Sequence, residues 1–334
     1  PVRIRKLITE NEISEYKDLQ SLGKFLRSRT YALEANVKSE IIRPEEVYSN
    51  PIALPKNRRS LVKEINLLSK EKHLFTTGHF SCYLSDSKSI PILMHELGRK
   101  REEAFRAVGE GTKKPLDTDE YDDYYKHLIL WDKHKSRVVG AYRLGYGKEI
   151  LAKKGIKGFY TKTLFDYEPE FVDFLKHSIE LGRSFVSVEY QKEALPLMLL
   201  IKGLLYSVLN DGNIKYLIGP VSISSWYPKF YRSLIIQYLK DYHSLEGMDK
   251  QLRPKNPFFP DFLRSNPDDL MKGKSESIEK FDRYLLKLSD NEYRLPTLLK
   301  KYLKINAKII NYNVDPDFNY CVDGLVFMDI MKVP

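Results

Sequence analysis

Cysteine is almost absent: Cys82 and Cys321 are the two in 334 residues. Neither stands in a C-x-x-C pair or beside clustered histidines, which argues against a disulfide framework or a zinc site and for a reducing, cytoplasmic compartment. Long apolar runs are missing as well. The richest, "ALPLMLLIKGLLYSVL" from Ala194 to Leu209, spans about 16 residues around Lys202, against the roughly 20 that a spanning helix needs. It reads as a buried helix, with a membrane-dipping helix as the alternative. No internal repeat, low-complexity tract or regular D-x-D-x-D-G calcium loop occurs, and no metal is expected. The chain opens on Pro1 rather than Met and reads as either a processed chain or a piece of a longer protein.

Nothing that a core needs is scarce. With 42% apolar and 12% aromatic residues the chain is folded. A net charge of +10 and a pI near 9.2 favour a polyanionic partner, and nucleic acid, an anionic membrane and an acidic carrier protein all qualify.

Apolar spacing predicts helices over Glu12 to Glu34, Lys56 to Lys70 and Pro91 to Ala107, the last two separated by a polar break, "GHFSCYLSDSKS". "HLILWD" and "RVVGAYRL", joined by "KHKS", read as a hairpin. A Gly-punctuated connection and a short helix near Pro169 to His177 lead to the strand "SIELGRSFVSV", the apolar helix and a further strand, "KYLIGPVSIS". After Pro228 come a helix to about Tyr242, a Pro-rich connection, a helix "LPTLLKKYLKIN" and a last strand "GLVFMDIM". This is a mixed α/β plan, with a helical extension over residues 1–90 ahead of a domain over 91–334.

Glu180 and Arg183, three apart in a strand, should face opposite sides. A bulge at Gly182 would bring them to one side; an exposed edge-strand ion pair is the plainer alternative. Nearby, "GRKREEAFRAVGEGT" carries Arg99, Arg101, Phe105 and Arg106, "VVGAYRLG" carries Arg143, and Asp117, Asp119, Glu120, Asp122 and Asp123 crowd before "HLILWD". Acids beside fixed arginines can hold a zwitterion, carboxylate to guanidinium and ammonium to carboxylate, as an amino-acid site must. A solvated turn is the alternative for the acidic run, and a surface hairpin arginine for Arg143. The same acids argue against a nucleic-acid-binding module.

In this order, Arg101-x-x-x-Phe105, the acidic run, "VGAYRL", "ELGRSFV" and "YLIGPVSIS" resemble the acyl-carrier-protein-dependent N-acyltransferases that make ornithine lipids and related aminolipids. These are members of the GNAT superfamily and cousins of the acyl-homoserine-lactone synthases. The resemblance extends through "LPTLLKKYLKINAKI…DPDFN…DGLVF" and so covers roughly residues 91–334. "FLRSRTYALEANV" and "PIALPKNRRSLVKEI" resemble the C-terminal half of bifunctional ornithine-lipid synthases, which implies an upstream O-acyltransferase domain in the full-length protein.

The resemblance implies a GNAT fold and transfer of a long, 3-hydroxylated acyl chain to the α-amine of ornithine or glycine. The donor would be acyl carrier protein, through its 4'-phosphopantetheine, or acyl-CoA, with no tightly bound cofactor. Glu180 would be the general base through a water, with Arg183 and Arg143 orienting the acceptor or the acyl carbonyl. Asp122 and Asp123 would hold the ammonium or position Arg101, beside Phe105. Ser222 and Ser224 would donate to the leaving sulfur. The family's phosphate-holding loop falls on Val186, Val188, Gln191, Lys192 and Ala194, where Ala194 and Pro196 replace its glycines, which favours a carrier phosphodiester over a free pyrophosphate. A lipid product implies peripheral contact with the cytoplasmic face of the inner membrane, through an amphipathic surface of Trp226, Tyr227, Phe230 and Tyr231 with "NPFFPDF". An autoinducer-like synthase is the related alternative.

Overall fold

The computed structural model describes residues 7–14, 16–35, 50–68, 70–209, 211–262, 265–271 and 277–333. Its centre is an eight-stranded sheet in the order β1 (His73–Thr77), β2 (Phe80–Asp86), β3 (Lys126–Asp132), β4 (Arg137–Tyr146), β6 (Ser178–Val186), β7 (Tyr216–Ile223), β10 (Cys321–Asp329), β9 (Lys308–Asp315). Short strands β5 (Phe165–Tyr167) and β8 (Leu252–Pro254) pair with each other beside it. All neighbours in the large sheet are antiparallel except β6 and β7. This is the mixed α/β, GNAT-type architecture expected.

Strand alternation divides the sheet into two faces. Leu128, Leu130, Tyr142, Leu144, Leu181, Val221 and Val326 face helices Leu195–Leu209, Lys229–His243, Ile278–Leu288 and Thr297–Lys304 in the largest core. On the opposite face, Ile129, Trp131, Ala141 and Phe185 pack under helices Arg58–Leu67 and Pro91–Arg106. Farther along that face, Ile218, Leu325 and Phe327 pack under the segment carrying Ile150, Phe159, Phe165 and Phe171. Polar side chains of the central strands enter the seam between these two smaller cores.

Helix Pro91–Arg106 shows how one functional side chain reaches that seam. Pro91 starts it, where the missing N–H costs nothing. Leu93, Leu97 and Ala104 mark its buried stripe, and Arg101 lies on the same stripe, four residues after Leu97, with 0% exposure. Gly98 lets the acidic loop lie close, since a Cβ there would stand 2.7 Å from Thr118 Cγ2.

The structure corrects several expectations. "GHFSCYLSDSKS" is not a break: its apolar Phe80, Cys82 and Leu84 hold β2 against β3, and β1 and β2 place the start of the sheet ahead of residue 91. The first long helix is two, Glu10–Ser14 and Leu19–Ala35, and the end of "FLRSRTYALEANV" lies outside the described residues. Helix Ile278–Leu288 and strand β9 have no counterpart in the sequence reading. Phe230 and Tyr231 are core residues, 2% and 0% exposed, so they offer no lipid-facing surface. Among the described residues no helix is long and apolar enough to cross a membrane.

Candidate active site

Three arginines and three aspartates meet in the seam. Arg101 Nη1 donates to Asp122 Oδ1 at 2.8 Å, and Arg143 Nη1 donates to Asp119 and, at 3.3 Å, to Asp122 Oδ1. Arg183 Nε donates to Asp117 Oδ1 at 3.1 Å and its Nη2 to Asp119 Oδ2 at 2.9 Å. The acidic run is folded to receive them. Asp119 caps the turn Glu120–Asp123 by accepting from Tyr121 N at 3.0 Å, and Asp122 returns the contact by accepting from Asp119 N at 3.0 Å.

Burial alone would raise the Asp122 carboxyl, but Arg101 and Arg143 outweigh it and hold the group well below the usual carboxylate range. His127 donates from Nε2 to the Asp122 carbonyl at 3.1 Å, which leaves Nδ1 to accept from Arg101 Nη2 at 3.3 Å, since guanidinium can only donate. Burial and Arg101 push this histidine down to about 4, so it is neutral. Removing one member strands buried charge. Asp122→Ala is expected to cost about 3–5 kcal/mol, read from urea unfolding at neutral pH; a loss below 1 kcal/mol would show that the network contributes little.

The bulge exists, one residue from where the glycine suggested. Pairing of β4 with β6 jumps from Arg143↔Gly182 to Ala141↔Phe185, so Tyr142 alone opposes Arg183 and Ser184. Arg183 takes the left-handed conformation, at φ +48°, while Gly182 does not. Glu180 and Arg183 do share one face: the Tyr160 N–H donates to Glu180 at 3.0 Å, and the Tyr160 ring lies 5.0 Å from the Arg183 guanidinium. Phe318 covers the same guanidinium at 4.5 Å and meets Phe105 edge-on at 6.1 Å.

Glu180 is buried and fully occupied. Its Oε2 accepts from Tyr125 OH and Tyr160 N, and its Oε1 accepts from Thr161 Oγ1 and, at 2.8 Å, from Thr161 N. The carboxylate thus pins the turn Tyr160–Thr163 beneath the arginines.

Beyond Glu180 the sheet opens. β6 and β7 pair only over Ser178–Glu180 and Tyr216–Ile218. Gly219 still lies against β6, where a Cβ would stand 2.2 Å from the Leu181 carbonyl oxygen; next comes Pro220, which has no N–H to offer, just before the level of the bulge at Arg183 and Ser184. A narrow cleft follows, lined by Tyr142, Leu181, Leu298 and Tyr302 and by Gly182 and Arg183 of β6. The hydroxyls of Tyr142 and Tyr302 lie 2.9 Å apart in it.

A second acidic group borders Arg183. Asp323 on β10 pairs with Ser222 on β7, accepting from Ser222 Oγ at 2.7 Å and from Cys321 Sγ at 3.6 Å. Asp315 accepts from Tyr160 OH at 3.4 Å. Burial, then the neighbouring Asp315, pushes Asp323 up to about 7; burial, then Asp323, pushes Glu110 up to about 8. Unlike Asp117, Asp119 and Asp122, none of Glu110, Asp315 and Asp323 makes an ion pair among the described residues.

The structure therefore gathers Arg101, Phe105, Asp122, Arg143, Glu180 and Arg183, and sets Ser222 beside Asp323. Asp123 is left out: it is exposed on the solvent side of the turn, because Asp122 is the residue that turns inward. The loop of Val186, Val188, Gln191, Lys192 and Ala194 spends donors on itself. The N–H groups of Tyr190, Gln191 and Glu193 bond to the carbonyls of Ser187, Val188 and Tyr190, and Gln191 Nε2 bonds to Val186 O at 2.9 Å. Tyr125, Tyr160, Thr161, His127, Asp315 and Asp323 escaped the sequence reading. Pro220 inside an otherwise regular strand was the available sign that β7 loses its pairing with β6 by that point.

A sequence profile for the acetyltransferase (GNAT) domain matches residues 101–201, the stretch from Arg101 through β6 into helix Leu195–Leu209. The chain is 34% identical over 203 residues to the glycine N(alpha)-acyltransferase of Phocaeicola vulgatus, covering 57% of this chain and 62% of that protein. It is 30% identical over 237 residues to the glycine N(alpha)-acyltransferase of Bacteroides thetaiotaomicron, covering 67% and 69%. The fold and seam thus define a GNAT-type acyltransferase domain. The chain belongs to the family of these glycine N-acyltransferases, although it spans only 62% of the length of the first. Two solved structures align more loosely. The CoA-dependent acyl-homoserine lactone synthase BjaI, with SAM and isopentyl-CoA, matches at 17% identity and TM-score 0.28 over 45% of this chain and 70% of its own; the CoA-dependent synthase MesI matches at 13% and 0.29 over 46% and 75%.

Proposed function

We propose that this chain transfers a long-chain acyl group, 3-hydroxylated as in aminolipid synthesis, from the pantetheine thioester of an acyl carrier protein to the α-amine of glycine. The observation that supports it best is the cleft between β6 and β7, bordered by Arg183, in a chain related to glycine N-acyltransferases. The thioester enters between the strands from the end of the sheet where they part. Glycine sits in the seam, its carboxylate toward Arg183, its amine toward Asp323 and Glu110. Asp323 takes the ammonium proton, the freed amine attacks the thioester carbon, the C–S bond breaks as the amide forms, and the proton that the attacking nitrogen then sheds goes to the departing thiolate. Glu180 is a positioning residue here, since its four donors occupy both oxygens and fix Tyr160 under Arg183. A peripheral site at the inner membrane and an upstream O-acyltransferase domain complete the reading.

The test uses the purified chain with an acylated carrier protein and isotopically labelled glycine, read by mass spectrometry. Labelled N-acylglycine is the expected product. Acylation of ornithine in preference to glycine would overturn the acceptor, and no acylated amine from any donor would overturn the reaction.

A further inference from the structure

Resting on that reading, we infer that the groove between helix Arg58–Leu67 and the β3–β4 turn is the docking face for the acidic carrier protein that brings the acyl thioester. The groove is walled by Arg58, Arg59 and Lys63 on one side and by His134 and Lys135 on the other, with no carboxylate in its lining. These five side chains are exposed. None of the four lysines and arginines among them has a carboxylate within ion-pair distance among the described residues, whereas Arg101, Arg143 and Arg183 are all paired. Unpaired, exposed cations of one sign in a concave site steer and orient an anionic partner.

Topology sets this groove at the end of the sheet toward which the cleft opens. β4 runs antiparallel to β6, and Gly140 pairs with Val186, so the β3–β4 turn and the end of β6 lie at one end of the sheet. β7 runs parallel to β6, so the gap between them opens toward that same end. The turn also touches the loop after β6: Lys135 Nζ lies 5.0 Å from the Tyr190 ring, and Arg137 Nη1 lies 3.9 Å from Glu189 Oε1. A partner seated in the groove would present a tethered thioester to the gap. Two walls favour the convex acidic face of a protein over a flat bilayer, and the lining holds no aromatic ring for a nucleic-acid base to stack on.

The test reverses charge away from the seam, in an Arg59→Glu/Lys63→Glu/Lys135→Glu variant of the full chain. Initial rates are measured with a palmitoyl carrier protein and with palmitoyl-pantetheine, which shares the thioester and lacks the protein. The expected result is a KM for the carrier-borne donor raised about tenfold or more at low salt, less at high salt, with the palmitoyl-pantetheine rate unchanged. Equal losses with both donors, or no change with either, would overturn the docking face. If wild type acylates nothing, the acyl-transfer reading fails by itself. The docking face is then judged by fluorescence anisotropy of labelled carrier protein, which should bind wild type and not the triple variant. Loss of binding to phosphatidylglycerol vesicles with carrier binding intact would overturn it in favour of a membrane-facing groove.

Discussion

Asp323→Asn is expected to lower N-acyl transfer by about 10²–10⁴-fold and to erase the acid limb of its pH profile. In the wild type, kcat/KM should rise with pH through about 7, because only the ionised Asp323 can accept the ammonium proton. Glu110, coupled to it, will make the limb a property of the pair. Stability should move the other way. A carboxyl raised in the folded state costs nothing below its unfolded value near 3.8, and stability is lost as pH climbs through about 7. At pH 8 the asparagine variant should therefore unfold at a higher temperature than the wild type, by an amount on the order of 3 kcal/mol in free energy. A gain in stability with a loss of activity is what a strained catalytic group produces and a merely structural one does not. An asparagine variant that keeps the wild-type pH profile would remove Asp323 from the mechanism.

The second large effect is expected at Glu180. In Glu180→Ala, the N–H groups of Tyr160 and Thr161 and the hydroxyls of Tyr125 and Thr161 lose their common acceptor inside the protein. Losing four hydrogen bonds to a buried charged acceptor should cost more than about 3 kcal/mol, and acyl transfer should collapse with the turn that holds Tyr160. Glu180→Gln separates the roles. It keeps one acceptor oxygen, so a positioning residue should leave reduced activity with an unchanged pH profile and a lower melting temperature. A folded glutamine variant of normal stability with no activity would instead make Glu180 the base.

Much of the site was legible as residue types. Arg101, Arg143, Arg183, Asp122 and Glu180 stood out because charge in otherwise apolar, periodic segments is rarely idle, and the seam holds all five. Local pattern also marked the β3–β4 hairpin and helices Pro91–Arg106 and Leu195–Leu209, whose buried residues recur at the period of the element itself. It failed at β2, where serines between buried Phe80 and Cys82 mimic a loop, and at Asp323, which sits in a strand that reads as plain core.

The sequence by itself determined the mixed α/β plan, the basic surface, the shortage of cysteine and the kinds of groups available for chemistry, because these depend on composition and on periods of a few residues. Tertiary structure alone decided how those groups are used. Asp119 meets Arg143 and Arg183, residues distant in the chain, and is neutralised, whereas Asp323 meets no such partner and stays available. The opening of the cleft was decided in the same way, by a parallel pairing between β6 and β7 that halts after Glu180 and Ile218, short of Pro220 on one strand and of the bulge at Arg183 on the other. Contacts of that kind depend on which distant segments pack together, and no local period in the chain records them.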